Sequence, residues 1–443
     1  MLYDKLKNNK KIPFHMPGHK RNVKLLGSKL PYDIDITEIE GFDNLHNPEG
    51  VIREIEKKAQ EIYNSDNSFL LVNGSTAGIT AGVHTALKKE DRALIARNCH
   101  KSVYNALELI GAEVEYLTPK LDEYGIFKAV DIYELEKKIK TFRPKLIVIT
   151  TPTYEGVRSD LKAVCEIAHK YNIPVMADAA HGAHCTDIAN LADITVMSLH
   201  KTLPALTQCA VAHINGNLIS AQEYRIKLSI FETSSPSYVL MASIDECLDF
   251  ISRSGLMLEK LSDERKKLIE QCKSLNHLNV FEYDDITKLI IFTGYSDING
   301  TELSKKLSDD FNIEVEMACE NYVVLITTVC DDFSDYEKLY NALCLIDKDL
   351  IAKEYKFTYY FALPEKAMNF SDITKTEFID FNESADRISA EYVWAYPPGI
   401  PIITPGEIIS SEIIDYIKRL ISENVNVQST RGKLPEKIYV LSS

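Results

Sequence analysis

The chain has 443 residues, of which 45% are hydrophobic and 26% charged, and its formal net charge is −15. This balance excludes extensive disorder, and the acidic charge argues against a nucleic-acid partner, because phosphate neutralisation needs a basic face. The nine cysteines contain no Cys-x-x-Cys pair, which indicates a reducing compartment and argues against a metal site. No apolar run reaches the length of a membrane span and no signal-peptide core is present, so we expect a cytoplasmic protein.

Residues 1–45 contain few periodic apolar positions and many Pro, Gly, His and acidic residues. Such an arm cannot form a core of its own, so we expect it to lie over another surface, such as the cleft of a partner subunit. Its acidic residues include Asp35 and Glu38. A solvated loop is the default interpretation, but a distal ammonium or guanidinium group on a substrate needs such a carboxylate.

Strand and helix patterns alternate through residues 46–255, beginning with an amphipathic helix over Glu49–Tyr63. Alternation of this kind predicts an α/β domain with a mostly parallel central sheet and helices on both faces. Residues 256–350 then predict a smaller α+β domain, including a strand over Ile313–Met317. The segment 351–443 is less regular, and its closely spaced prolines predict a rigid loop around Pro397 and Pro398.

Two stretches of the large domain have small or polar residues directly after a predicted strand. The strand Ser68–Val72 precedes a tight turn with Ser75 and Thr76, and a helix is predicted from Ile79 to Leu87. Hydroxyls at a helix amino terminus favour a phosphate site, although an ordinary N-cap by Ser75 or Thr76 is the alternative. A second strand leads to His100, whose imidazole is placed to stack on a planar ring unless it is a structural residue.

Two further apolar runs end at Asp178 and at the segment Ser198-Leu199-His200-Lys201. Parallel strands of an α/β sheet deliver such residues to one edge, so the acid and the lysine are expected to face one cleft. This pair suits pyridoxal phosphate, with Lys201 holding the coenzyme as a Schiff base and Asp178 keeping the ring nitrogen protonated. Ser198 and His200 are candidate phosphate ligands, but a solvated loop accounts equally well for any one of these residues.

A known family has the same motifs in the same order: Pro13-Phe14-His15-Met16-Pro17-Gly18-His19-Lys20, Asp35-Ile36-Thr37-Glu38, Asn73-Gly74-Ser75-Thr76, Arg97-Asn98-Cys99-His100-Lys101-Ser102, Asp178-Ala179-Ala180-His181-Gly182-Ala183-His184, Ser198-Leu199-His200-Lys201 and Tyr396-Pro397-Pro398-Gly399-Ile400-Pro401. The chain thereby resembles the prokaryotic ornithine/lysine/arginine decarboxylases, pyridoxal phosphate enzymes of the aspartate aminotransferase fold (fold type I). The match extends from residue 13 to about residue 407. The chain would be a short form that lacks the amino-terminal receiver-like domain of larger members.

The resemblance implies a role for each of these residues. Lys201 would be the Schiff-base lysine, Asp178 the partner of the ring nitrogen, His100 the stacking imidazole and His181 a residue close to the ring. The phosphate ligands would be Ser75, Thr76, Ser198 and His200. The resemblance also implies a homodimer or higher oligomer, with the loop 231–238 lending hydroxyls to the other subunit; a helix-capping loop is the alternative.

The predicted function is decarboxylation of arginine, lysine or ornithine to an amine and CO2, in polyamine-related metabolism. Lys201 or His181 would return a proton to the α carbon, and Tyr396 and Glu407 are candidate substrate contacts at the entrance. Two alternatives stay open: another pyridoxal phosphate activity such as an aminotransferase or lyase, with Arg387 or Arg419 binding the α-carboxylate, and a non-catalytic regulatory homologue.

Overall fold

A computed structural model describes residues 1–355, 364–396 and 399–442, so Pro397 and Pro398 of the predicted rigid loop lie outside the described residues. The contacts divide the chain into two compact units. Unit 1 comprises Met1–Leu87, Lys145–Thr151 and Leu161–Leu258, and unit 2 comprises Lys88–Pro144, Pro152–Asp160 and Glu259–Ser443. In the described ranges, every helix is too short or too polar to cross a membrane.

The helices are α1 (Leu2–Lys7), α2 (Val23–Leu26), α3 (Val51–Tyr63), α4 (Gly74–Ala86), α5 (Lys101–Ile110), α6 (Ile132–Phe142), α7 (Leu161–His169), α8 (Leu199–Thr202), α9 (Ala221–Phe231), α10 (Tyr238–Ile251), α11 (Gly255–Cys272), α12 (Gly300–Phe311), α13 (Ser334–Asp347) and α14 (Ser411–Ser422). The strands are β1 (Asn67–Leu71), β2 (Arg92–Ala96), β3 (Glu113–Leu117), β4 (Leu146–Thr150), β5 (Val175–Asp178), β6 (Ile194–Met197), β7 (Ala210–Ile214), β8 (Asn279–Phe281), β9 (Lys288–Phe292), β10 (Met317–Ala318), β11 (Tyr322–Ile326), β12 (Thr376–Asp380), β13 (Val393–Ala395), β14 (Ile400–Ile403), β15 (Val427–Ser429) and β16 (Lys437–Leu441).

Unit 1 contains the strands that carry most of the predicted site. Their order is β1-β7-β6-β5-β4, with β4, β5 and β6 parallel and β7 antiparallel to both of its neighbours. Helix α4 lies close to this sheet at two of its three glycines. A Cβ atom at Gly78 would lie 2.6 Å from Leu71 Cδ1, and one at Gly82 would lie 2.8 Å from Met176 Sδ. Larger residues there would push the helix away from the strands.

The amino-terminal arm has more structure than its sequence predicts. Leu2 and Leu6 of α1 are fully buried, and α1 packs on α10 within unit 1. The backbone N–H of Leu2 donates to Asp245 Oδ2 at 2.8 Å. For α1, the surface that the arm covers is therefore α10 of the same chain. Several large apolar side chains further along the arm are exposed, among them Phe14 at 94% and Leu25 at 78%.

Unit 2 combines a parallel strand pair with smaller antiparallel sheets. Strands β2 and β3 pair in parallel, as predicted. A four-stranded sheet in the order β10-β11-β9-β8 is antiparallel throughout, and its core packs against residues of α11, α12 and α13. The strand predicted over Ile313–Met317 is largely wrong, because β10 begins only at Met317.

The carboxyl-terminal segment is more regular than expected. Strands β12 and β16 pair with each other, and β14-β13-β15 form a three-stranded antiparallel sheet. Helix α14 buries Ile413, Ile414 and Ile417 in a core with Phe381 and Val393. The predicted fold class is confirmed: an α/β protein with a mostly parallel central sheet and small additional sheets in the carboxyl-terminal region.

Candidate active site

Asp178 is the last residue of β5, and it is buried, with 2% of its surface exposed. Its Oδ1 atom accepts a hydrogen bond from the N–H of Ala180 at 3.2 Å. Burial raises the pKa of this carboxyl, and the positive charge of Lys201 acts in the opposite direction. The acid and the lysine therefore interact electrostatically within unit 1, as the strand-end argument predicts.

Lys201 lies in the one-turn helix α8, which follows β6 directly. Strand β6 pairs in parallel with β5, and the partner of Asp178 in this register is Val196. The Nζ atom of Lys201 lies 3.0 Å from Nε2 of His181, a buried residue in the loop after β5. The structure thus brings Lys201, His181 and Asp178 together at the ends of two neighbouring parallel strands.

Helix α4 begins at Gly74, five residues earlier than the predicted Ile79, so Ser75 and Thr76 lie in its first turn. The N-cap residue is Asn73, whose side chain makes no capping hydrogen bond, and the N-cap interpretation of Ser75 or Thr76 is wrong. Backbone N–H groups in the first turn have no carbonyl partner within the helix. The turn therefore has the geometry of an anion site, to which both hydroxyls add donors.

Ser198 and His200 lie on either side of the start of α8. The Oγ atom of Ser198 is buried and has no hydrogen-bond partner among the residues that the structure describes. The Nδ1 atom of His200 lies 2.9 Å from the carbonyl oxygen of Cys209, which only accepts, so Nδ1 carries the proton. Burial lowers the pKa of His200. An anion held at Nε2 would favour protonation of that nitrogen.

Sequence reasoning missed Glu232, which lies just after α9 and is 6% exposed. Its Oε1 atom accepts from the N–H groups of Val72 at 2.8 Å and Asn73 at 3.4 Å, directly before α4. Burial raises the pKa of Glu232 to about 7. Its only signal in the sequence is an acid at the start of a loop rich in serine. In that loop Ser237 caps α10, so the capping alternative for this residue is confirmed.

In unit 2, His100 is the N-cap residue of α5, and its Nδ1 atom accepts from the N–H of Ser102 at 3.2 Å. Gly399 lies beside this imidazole with φ of +82°, and a Cβ atom there would lie 3.3 Å from His100 Nε2. The N–H of Lys101 donates to the carbonyl of Gly399 at 3.1 Å. One ring nitrogen of His100 is therefore held by its own helix while a glycine of the carboxyl-terminal segment lies against the ring.

Glu407 forms a buried ion pair with Arg97, which follows β2 in unit 2. Arg97 Nε and Nη2 donate to the two carboxylate oxygens at 3.1 and 3.0 Å, and the two residues are 2% and 0% exposed. Arg97 also donates to the carbonyls of Pro401 and Ile402. Burial raises the pKa of Glu407 and the charge of Arg97 opposes the shift. These contacts favour a structural role, and the substrate contact of Glu407 remains a prediction.

The other predicted substrate residues have partners of their own. Asp35 Oδ2 lies 3.0 Å from Nε2 of His19, and Glu38 accepts from the hydroxyl of Thr37. Tyr396 is 46% exposed, and its ring lies 5.3 Å from Nζ of Lys101. None of these contacts tests substrate binding, which stays a prediction for all three residues.

Comparison with known proteins gives the family. The model of the Orn/Lys/Arg decarboxylase major domain matches residues 2–297, and the model of the carboxyl-terminal domain of the same family matches residues 349–427. The chain belongs to the Orn/Lys/Arg decarboxylase family. This result confirms the resemblance of the ordered motifs.

Individual relatives of this decarboxylase agree with the family match. The chain is 32% identical to an arginine decarboxylase of Bacillus subtilis, over 99% of this chain and 97% of that protein. It is 30% identical to an arginine decarboxylase of Bacillus anthracis, over 97% of this chain and 94% of that protein. Its fold is similar to that of a lysine decarboxylase from Francisella novicida, with a TM-score of 0.83 and 18% identity over 100% of this chain and 81% of that one.

Pyridoxal phosphate is the cofactor of this decarboxylase, as the family requires and as the sequence predicts. The residues of unit 1 fit that group. The unpartnered hydroxyl of Ser198 and the open first turn of α4 suit a phosphate, and the buried carboxyl of Asp178 suits a protonated ring nitrogen. The amine of Lys201 suits covalent attachment of the coenzyme.

Proposed function

We propose that this decarboxylase acts on L-arginine, releasing CO2 and the corresponding amine. The two relatives named arginine decarboxylase are similar over nearly the whole chain, whereas the lysine decarboxylase is only 18% identical. One observation supports the catalytic part of the proposal. The buried carboxyl of Asp178 interacts electrostatically with Lys201, and the two residues lie at the ends of neighbouring parallel strands. An aminotransferase or a non-catalytic homologue is not favoured by the family.

Three residues do the chemistry in this proposal. Pyridoxal phosphate, when bound, supplies an electron sink for the electron pair left by the departing carboxylate. Lys201 attaches it, and Asp178 holds a proton on its ring nitrogen, which strengthens the sink. His181 and Lys201 share a hydrogen bond of 3.0 Å, so either can hold the proton that the α carbon receives after CO2 has left.

The remaining residues position the reactants. Ser75 and Thr76 in the first turn of α4, with Ser198 and His200 beside α8, bind the phosphate. His100 would stack on the coenzyme ring, as the family resemblance implies, and the N-cap contacts with Ser102 orient its imidazole. Asp35, Glu38, Tyr396 and Glu407 remain candidates for substrate binding, and the first two would supply carboxylates to a guanidinium group.

We further propose a homodimer or a larger homo-oligomer with shared active sites, in the cytoplasm and in polyamine biosynthesis. Exposed apolar side chains of the arm, such as Ile12 at 80% and Phe14 at 94%, support a surface that a second copy covers. The loop 231–238 would contribute hydroxyls to the other subunit. The division into an arm (1–45), a large domain (46–255), a small domain (256–350) and a carboxyl-terminal segment (351–443) also remains a proposal.

The test is CO2 release from L-arginine, L-lysine and L-ornithine with added pyridoxal phosphate, with keto-acid formation measured in parallel. Arginine should give the fastest CO2 release and no keto acid. Lys201→Ala should abolish turnover and the visible absorbance of the bound coenzyme. Asp178→Asn should keep the coenzyme and lower kcat by about 10² to 10³-fold, the size expected for one preorganised charge.

Lys170→Ala, which changes an exposed lysine of unit 1, is the matched control and should be as active as the unmodified enzyme. Faster release from lysine or ornithine would refute the substrate assignment alone. Turnover by the Lys201 variant at an unchanged rate would refute the assignment of the attachment residue.

A further inference from the structure

A cavity lies within unit 2, and none of the residues assigned above to the coenzyme lines it. Its volume is about 670 Å³, and residues of β10, β11, α12 and α14 contribute to its wall. This volume falls in the range of pockets that hold small molecules. None of the roles proposed for this decarboxylase uses the cavity, although Arg419, a candidate α-carboxylate residue for the alternative activity, lines it.

The charge of the wall is strongly unbalanced. Carboxylates outnumber cationic side chains by five to two; they are Asp297, Glu302, Glu320, Glu354 and Glu423, against Lys353 and Arg419. Arg419 pairs with Glu320 at 3.2 Å. Burial raises the pKa of Glu423, and the charge of Glu320 raises it further. A cation in the cavity would relieve this repulsion.

Three polar atoms of the wall are buried and have no hydrogen-bond partner in the described part of the chain. They are Thr293 Oγ1, Tyr355 Oη and Glu423 Oε2. Thr293 is only 1% exposed. Unsatisfied buried polar atoms are rare in proteins, and three around one cavity indicate a missing partner. Because a carboxylate oxygen only accepts, that partner must be a donor.

Aromatic rings complete the wall, since Tyr124, Tyr322, Tyr355 and Tyr416 all line the cavity. The faces of tyrosine rings attract ammonium and guanidinium groups, which are also the donors that a carboxylate binds best. We propose that this cavity binds a small organic cation that carries a guanidinium or primary ammonium group. A basic amino acid and the amine formed from it share this chemistry.

The experiment is a calorimetric titration of the holoenzyme after borohydride reduction, which fixes the coenzyme on the protein and stops turnover. Butylguanidine is the first probe, because it carries a guanidinium group and no amine that reacts with the coenzyme. We expect one binding event per chain. Glu423→Gln should weaken it by about tenfold, the loss expected for one charge-assisted hydrogen bond, and Thr293→Val by about threefold.

Glu383→Gln is the matched control, because it removes the same charge from an exposed residue that does not line the cavity, and its affinity should stay within about twofold of the unmodified value. Circular dichroism establishes that each variant is folded. Unchanged affinity in both cavity variants, or no binding below about 10 mM, would overturn the proposal.

L-arginine and agmatine then identify the source of the cation in the same titration. Tighter binding of the amino acid supports a site in which Lys353 receives the α-carboxylate, and tighter binding of agmatine supports a site for the amine. If neither probe binds, the proposal is overturned. The visible absorbance of the coenzyme before reduction reports separately on the proposed function, so the failure of one does not resemble the failure of the other.

Discussion

The Nζ atom of Lys201 and the Nε2 atom of His181 lie 3.0 Å apart, at the ends of neighbouring parallel strands. One hydrogen bond therefore links the lysine that we propose as the attachment residue to an imidazole that is 4% exposed. A proton held between these two nitrogens is sheltered from bulk water by the burial of His181.

We expect His181→Ala to lower kcat for CO2 release by about 10² to 10⁴-fold, the usual contribution of a positioned proton donor. The visible absorbance of the bound coenzyme should remain, because Lys201 is intact. Steady-state CO2 release gives kcat, and an absorbance spectrum of the same preparation reports the bound coenzyme. His184→Ala, three residues further along the same loop, is the control, and equal losses in both variants would contradict a specific role for His181.

A second prediction follows from the buried hydroxyl of Ser198. Ser198→Ala should weaken pyridoxal phosphate binding by about tenfold or more, since it removes a hydrogen bond to a charged phosphate. The cofactor-free protein should unfold at nearly the same urea concentration as before, because this hydroxyl has no partner among the described residues. Fluorescence titration of the apo-protein with the coenzyme gives the affinity.

Thr195→Val is the matched control for that experiment. Thr195 Oγ1 is also buried and has no partner in the described ranges, but it lies within β6 and no phosphate role is assigned to it. If both variants bind the coenzyme as tightly as the unmodified protein, Ser198 is not a phosphate ligand.

The third prediction concerns Glu232, whose pKa is raised to about 7 from an ordinary value of 4.5. The folded chain therefore holds this proton more tightly than the unfolded chain does. The free energy of unfolding should fall as the pH rises from about 4.5 to 7. Above about pH 7 the carboxyl is ionised in the folded chain as well, and the protein then bears the full free-energy cost of the buried charge. From the size of the shift, that cost is about 3 kcal/mol.

Glu232→Gln should remove this pH dependence while keeping an acceptor for the N–H of Val72. Urea unfolding should show the variant to be more stable than the unmodified protein at pH 8 and similar to it near pH 4.5. Glu223→Gln, an exposed acid of α9, should leave the profile unchanged. Parallel stability profiles for the Glu232 variant and the unmodified protein would show that this carboxyl does not carry the effect.

The fourth prediction separates structure from substrate binding at Glu407. Glu407→Gln leaves the buried Arg97 guanidinium without its counter-charge, so we expect it to lower the free energy of unfolding by about 3 to 5 kcal/mol. The double variant Arg97→Met with Glu407→Leu should recover most of that loss. Urea unfolding gives both values. A stable Glu407→Gln variant with a greatly raised KM for arginine would instead support direct substrate contact.

Much of unit 1 could be predicted from the sequence because its signals are local. Apolar runs that end in Asp178 and in Ser198 to Lys201 identify the strands, and parallel strands bring their carboxyl ends to one edge. The predicted start of α4 is too late, because Gly74 and Gly78 have low helix propensity. At Gly78, only packing against the sheet shows why a small residue is needed.

Residues brought together from distant parts of the chain could not be predicted in the same way. Arg97 and Glu407 are 310 positions apart, and neither local pattern specifies the other. Glu232 and the N–H of Val72 are 160 positions apart, so the raised pKa exists only in the folded chain. Helix α1 and the core of the carboxyl-terminal segment were missed because short or irregular elements have weak periodicity.

The sequence by itself determined the α/β class and the family, and it predicted the pair Asp178 and Lys201, because strand periodicity and ordered motifs are properties of neighbouring residues. Only the tertiary structure decided which buried groups lack partners among the described residues, which carboxyls are driven toward their neutral form, and that a cavity with excess negative charge exists in unit 2. Burial and charge pairing depend on what surrounds a side chain in space, and that surrounding is assembled only when the chain folds.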